Sequence, residues 1–129
     1  GLTLHHETNH MLNLNSVLIG SDQQKTLSEF YEKILGKPTM SEEGWTGWVV
    51  GGSFLSVGSH SEVSGQAKEP TRVMFNFETE QVKEEFERIK ALGATIVKEL
   101  YEMEGMWIAT FADPDGNYFQ LASPWKNEK

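Results

Sequence analysis

At 129 residues and 38% hydrophobic, the chain is long enough to bury a core and short enough to be one domain. It has no cysteine, which excludes disulfides, thiolate metal sites and cysteine nucleophiles, and its lack of a spanning apolar run or a leader-like start leads us to expect a soluble, cytoplasmic protein with no membrane partner. A formal net charge of −8, with eleven Lys and Arg scattered along the chain, excludes a nucleic-acid partner and reads as a solubilising surface.

Residues 1–11 read as an N-terminal tail in which His5, His6 and His10 would meet a metal only by chance. Leu12 to Gly20 reads as a strand. Ser21, with Gln24 three residues on, offers a capping box, and Leu27, Phe30, Tyr31, Ile34 and Leu35 fall on one helical face. Gly36 and Pro38 stop that helix, and Pro38 to Glu43, Trp45 to Val50 and Ser53 to Gly58 read as three short strands. A polar loop, His60 to Pro70, leads to a strand over Thr71 to Glu78 and a second helix carrying Val82, Phe86, Ile89 and Leu92 on one side. Gly93 ends it. Ala94 to Tyr101, Met106 to Ala112 and Asn117 to Ser123 read as three more strands, with Asp113-Pro114-Asp115-Gly116 as the turn of a hairpin, and 125–129 as a C-terminal tail.

The order is βαβββ twice, over 12–60 and 71–124, and an offset of 57 brings Asn15 onto Arg72 and Leu35-Gly36 onto Leu92-Gly93. Neither half alone buries both its helix and its sheet face, so the modules must pair, within one chain or across two, and 12–124 reads as one domain.

These residues carry a family resemblance. SVLIGSDQQKTLSEFYEKILGKP resembles the opening strand and helix of glyoxalase and bleomycin-resistance proteins, and FADPDGNYFQLASP and the segment Ala91 to Ala94 resemble their later parts. The resemblance to this vicinal-oxygen-chelate (VOC) superfamily, which also holds extradiol dioxygenases, implies an α+β fold of two paired βαβββ modules, forming cupped mixed sheets around a cavity. It also implies a divalent metal held from four places. Transferred by motif, these are Asn15, seven residues before Asp22; Ser56, in GGSFLSV; Arg72, three before Phe75; and Gln120, in DGNYFQL. Catalytic metals take imidazole or carboxylate, none of the four is either, and a guanidinium has no lone pair to give. No metal or other cofactor is therefore expected.

Strand alternation assigns two faces. Leu14, Leu18, Leu55, Val57, Val73, Phe75, Phe77, Phe119 and Leu121 form the set expected under the helices. Opposite them lie Asn13, Asn15, Val17, Ile19, Phe54, Ser56, Gly58, Arg72, Met74, Asn76, Glu78, Tyr118, Gln120 and Ala122, a mixture typical of a ligand cavity. Asn15, Ser56, Arg72, Asn76, Tyr118 and Gln120 are thus candidate ligand contacts, with Trp45, Trp48 and Trp107 as candidate stacking groups. Alternatives stay open: Arg72 could pair with Glu78, Asn15 with Gln120, and the tryptophans could be core or interface. His60 is the one candidate catalytic base outside the tail, although a surface histidine is the more ordinary reading.

Two functions follow. The first is a protein that binds a small, planar or partly anionic molecule between the modules. A cationic antibiotic, as in the bleomycin-resistance branch, suits the acidic charge but not Arg72. The second is a metal-dependent lyase, isomerase or dioxygenase of the superfamily, for which the ligands are missing and only His60 or Glu78 offers a base. By the resemblance and the tryptophan content, a homodimer is expected.

Overall fold

The computed structural model describes residues 11–124. The tail histidines His5, His6 and His10 and residues 125–129 lie outside the described residues. The elements run β1 (Ser16–Ser21), α1 (Gln24–Leu35), β2 (Met40–Glu42), β3 (Trp45–Val50), β4 (Ser53–Ser59), β5 (Phe75–Glu78), α2 (Val82–Ala91), β6 (Thr95–Met103), β7 (Met106–Ala112) and β8 (Tyr118–Ala122). They form two four-stranded sheets, ordered β1-β4-β3-β2 and β5-β8-β7-β6. In each sheet the first and last strands pair in parallel and the others pair antiparallel. The described residues up to Ala67 make one compact unit, module one, and those from Lys68 another, module two. Among the described residues no helix is long and apolar enough to cross a membrane.

In module one, α1 packs on β4, β3 and β1 through Leu27, Tyr31 and Ile34, spaced i, i+4, i+7. It ends at Gly36, whose φ of +93° lies where a side chain is strained. The Trp48 indole N–H donates to the Gly36 carbonyl at 2.9 Å, and its ring meets Tyr31 edge-on at 6.5 Å. Trp48 is thus a core residue that also ties down the helix end. The start of α1 differs from the capping-box expectation: the helix begins at Gln24, and Ser21, the last residue of β1, accepts the Gln23 N–H at 3.0 Å. Freed from capping, the Gln24 amide turns inward and donates to Ser28, Thr46 and the Val57 carbonyl. Module two repeats the entry, Thr79 accepting the Gln81 N–H at 3.0 Å.

In module two, α2 lays Val82, Phe86 and Ile89 against β7, β6 and β8. Beneath it the Phe119 ring stacks with Phe111 (5.6 Å, 21°) and Phe75 (6.2 Å, 13°) and meets Phe77 edge-on at 5.7 Å. On the outer side of α2, the Arg88 hydrogen bond holds the Glu85 carboxyl below the ordinary carboxylate range. The β7–β8 turn forms as expected: the buried Asp113 carboxylate accepts from the N–H groups of Asp115 and Asn117 and from the Asn117 amide. Strands β1 and β2 are shorter than expected, beginning at Ser16 rather than Leu12 and covering only Met40–Glu42, and β5 has half its expected length. Thr71 to Val73 lie in a turn, with the Arg72 N–H donating to the Glu69 carbonyl at 3.0 Å, and pairing begins only at Phe75.

Candidate functional site

Each sheet has one face under its helix and one open face. In module one the register Leu18↔Ser56↔Gly47↔Met40 runs across the open face, as does Gly20↔Gly58↔Trp45 one row along. Three of these positions are glycines inside strands: Val63 and His60 lie over Gly20, and at Gly47 and Gly58 aromatic rings occupy the space a side chain would take. A Cβ on Gly47 would lie 2.7 Å from Cε2 of Phe54, and one on Gly58 would lie 3.3 Å from Cδ1 of Trp45. Phe54 and Trp45 stack on each other at 5.9 Å and 28°. The result is a flat aromatic pair laid across the sheet, a use of strand glycine that close approach explains. Beside it an open cleft of about 420 Å³ is lined by Asn15, Ser16, Val49, Gly51, Gly52, Ser53 and Phe54.

This register corrects the face assignment of β1. Ile19 is 8% exposed and pairs with Val57 under α1, whereas Leu18 is 61% exposed and pairs with Ser56 on the open face. Asn15, in phase with Ile19, lies just outside the strand. Its carbonyl accepts from the N–H of Phe54 and the hydroxyl of Ser53. Ser56 lies buried on the open face between Leu18 and Gly47.

In module two the open face carries a polar row in register across all four strands: Asn76↔Gln120↔Thr110↔Lys98. The Gln120 amide donates to the Thr110 hydroxyl at 2.9 Å. Tyr118 shares this face of β8. Arg72 does not join the row. It stands in the turn before β5, 71% exposed, paired with Glu69 at 3.0 Å rather than with Glu78. Trp107, in phase with Ala109 and Phe111, looks to the helix side, where the Lys83 ammonium sits 4.1 Å above its ring. His60 is exposed past the end of β4, and its Nδ1 accepts the Glu62 N–H at 3.2 Å.

Of the expected contacts, then, Asn76, Gln120 and Tyr118 share one face in module two, and Ser56 and Trp45 share one face in module one. Trp48 and Trp107 turn away, Asn15 borders the cleft, His60 lies against Gly20 at the end of the Gly58–Trp45 row, and Arg72 stands apart. Sequence reading placed Phe54 on the cavity side without naming it as a contact, and it missed Gly47, Thr110 and Lys98. The strand glycines facing aromatics were a signal for the first two.

The profile of the glyoxalase-like domain matches residues 16–122. The chain belongs to the glyoxalase-like domain family, and so to the vicinal-oxygen-chelate superfamily. Among solved structures, this glyoxalase-like domain is similar to a conserved domain protein (TM-score 0.75, 18% identity, covering 88% of this chain and 100% of that one). It is also similar to a glyoxalase/bleomycin resistance protein/dioxygenase family enzyme from Burkholderia phytofirmans (0.70, 23%, 87% and 98%). A third likeness is to a lactoylglutathione lyase from Agrobacterium tumefaciens (0.70, 16%, 89% and 96%). At these identities the likeness shows the fold alone. No curated protein sequence matches the chain.

The customary metal of the superfamily finds a poor donor set in this glyoxalase-like domain. Among the described residues no three His, Cys, Asp or Glu side chains converge. Of the four transferred positions, Arg72 is cationic and engaged with Glu69, and Gln120 has only a neutral carbonyl oxygen to offer. Asn15 and Ser56 offer neutral oxygens, which are weak donors suited at best to a hard cation.

Proposed function

We propose that this glyoxalase-like domain binds a small, planar molecule on the open faces of its sheets, without a divalent metal at the superfamily's customary positions. The observation that carries the reading is the Trp45–Phe54 pair resting over Gly47 and Gly58. Glycine inside a strand weakens it, so two of them under aromatic rings imply that the flat surface is worth its cost. A planar ligand gains both apolar burial and stacking on such a surface. Module two carries a surface of its own, the polar row on the open face of its sheet, with groups of the kind that orient a ligand.

The test has two arms. Elemental analysis and melting curves with Mn²⁺, Ni²⁺, Zn²⁺ and Fe²⁺ are expected to give no stoichiometric metal and no shift of several degrees. A library of planar aromatic compounds is expected to raise the melting temperature of the wild type and of Trp107→Ala, but not of Trp45→Ala. Stoichiometric metal would instead favour the lyase, isomerase or dioxygenase reading, and ligand profiles unchanged by Trp45→Ala would sink the aromatic site. Cationic antibiotics in the same library decide whether the acidic charge steers ligand choice.

A homodimer belongs to the same proposal. Its support is the apolar surface that module one leaves at Leu12, Leu14, Leu18 and Val49, each more than half exposed. Analytical ultracentrifugation is expected to return twice the chain mass, and a strict monomer at tens of micromolar would count against it.

A further inference from the structure

Strand β6 breaks its pairing with β7 twice. The partners run Thr95↔Ala112, Ile96↔Phe111, Lys98↔Thr110 and Tyr101↔Ile108, with register shifts on either side of Lys98. In a regular ladder continued from Thr95↔Ala112, Val97 would stand beside Thr110 and Glu99 beside Ile108. Each shift inserts one residue, so Lys98 and Tyr101 take the open-face positions that Val97 and Glu99 would hold in an unbroken ladder. Bulges re-aim side chains in this way, and they are over-represented beside functional sites. The Lys98 ammonium then rests 4.7 Å from the centre of the Tyr101 ring, which holds it over the sheet.

We infer that the open face of module two takes a small organic carboxylate, with Lys98 as its charge partner and the Thr110–Gln120–Asn76 row as its hydrogen-bonding track. The inference rests on the small-molecule reading above and gives that ligand its class. Along the row the single internal bond is Gln120 to Thr110, so the Thr110 hydroxyl proton, the Gln120 carbonyl and the whole Asn76 amide remain available to a ligand. Thr110 is only 5% exposed and its hydroxyl accepts from Gln120, so it anchors the middle of the row while Gln120 and Asn76 present the more accessible groups.

Among the described residues Lys98 is the one cation on this face. Glu78 is its one anion, at the other edge of the sheet on β5. Three strand spacings of about 4.8 Å separate those edges, roughly 14 Å, which exceeds the screening length of about 8 Å at physiological salt. The neighbouring rows are Tyr118, Ala112 and Thr95 on one side and, on the other, Tyr101, Ile108 and Ala122 leading to Glu78 at the far edge. One cation with neutral donors matches a single negative charge. A phosphate monoester, near −2, would find half its charge unmatched in a protein of net charge −8. The length of the row sets the size of ligand: a carboxylate at Lys98 and a hydroxyl or carbonyl up to about 14 Å away at Asn76.

Calorimetric titration tests this with 4-hydroxycinnamate, its uncharged amide 4-hydroxycinnamamide, and phenyl phosphate as a phosphate monoester. The acid is expected to bind the wild type roughly tenfold tighter than the amide, a charge-assisted bond's worth, and tighter than the phosphate. Lys98→Met is expected to erase the preference, Lys98→Arg to restore it, and Lys37→Met, which removes a charge elsewhere, to leave it intact. Equal binding of acid and amide, a preference that survives Lys98→Met, or tighter binding of the phosphate would overturn the inference. If planar neutral compounds bind and depend on Trp45 while the acid gains nothing, this inference alone fails. If no small molecule of either panel binds, the small-molecule reading fails with it.

Discussion

Phe119→Ala is expected to destabilise the protein by roughly 3–5 kcal/mol, the range for deleting a fully enclosed phenyl ring. The ring has no exposed surface and touches three others, Phe75, Phe77 and Phe111, so truncation leaves a cavity with aromatic walls on several sides. Strand β8 is also bracketed by β5 and β7, which limits collapse into the hole. Against a typical total of about 5–15 kcal/mol, the loss is large enough to show as a greatly reduced urea midpoint. Phe119→Leu, which keeps most of the volume, is expected to lose less than half as much. A midpoint for Phe119→Ala within error of the wild type would mean that the stack does not hold module two together.

Gly47→Ala is expected to act in the opposite way from most glycine replacements in strands. Ordinarily the change gains about 0.5–1 kcal/mol, because glycine gives up more freedom on folding. Here the new methyl would lie 2.7 Å from Cε2 and 3.3 Å from Cε1 of Phe54, so the ring must lift off the sheet and leave Trp45. Overpacking of this kind costs about 1–3 kcal/mol, and it outweighs the entropic gain. The larger effect is on binding, since the flat surface for a planar ligand is gone. In a Phe54→Ala background the clash disappears, and Gly47→Ala is expected to become neutral or stabilising. The double-mutant cycle should therefore return a coupling of about 1 kcal/mol or more. If Gly47→Ala stabilised the wild type and left its tryptophan fluorescence unchanged, the aromatic pair would not depend on the bare backbone beneath it.

The helices were legible because each repeats its apolar residues at helical spacing and ends at glycine. Strands β3 and β7 were legible to the residue, since Gly44 and Gly51 bound β3 and the Gly105 and Asp113–Gly116 turns bound β7. Strand β1 was found but assigned to the wrong face. Val17, Leu18 and Ile19 are all aliphatic, so alternation carries no phase there, and only pairing with Leu55 and Val57 sets it. Thr71 to Met74 reads as a strand by composition, yet the carbonyl of Glu69 captures the Arg72 amide first.

The candidate site was legible in part for the same reason. Asn76, Gln120 and Tyr118 sit on strands with clear alternation, and their shared face follows from it. Lys98 was invisible, because neither register shift in β6 carries a glycine or any other local mark, and alternation from Thr95 counts it to the wrong side. Trp48 stayed open between pocket lining and core because composition does not reveal that its indole N–H has a partner in the Gly36 carbonyl.

The two shifts in β6 have a second consequence. At nine residues β6 is the longest strand, and it is an edge of its sheet. A long, regular edge is a template on which another chain can add a strand, the first step toward aggregation. Twice-interrupted backbone spacing, together with the charges of Lys98, Glu99 and Glu102, makes β6 a poor template. The irregularity that turns Lys98 toward the open face thus also helps to keep concentrated copies of the chain from zipping together along their sheets.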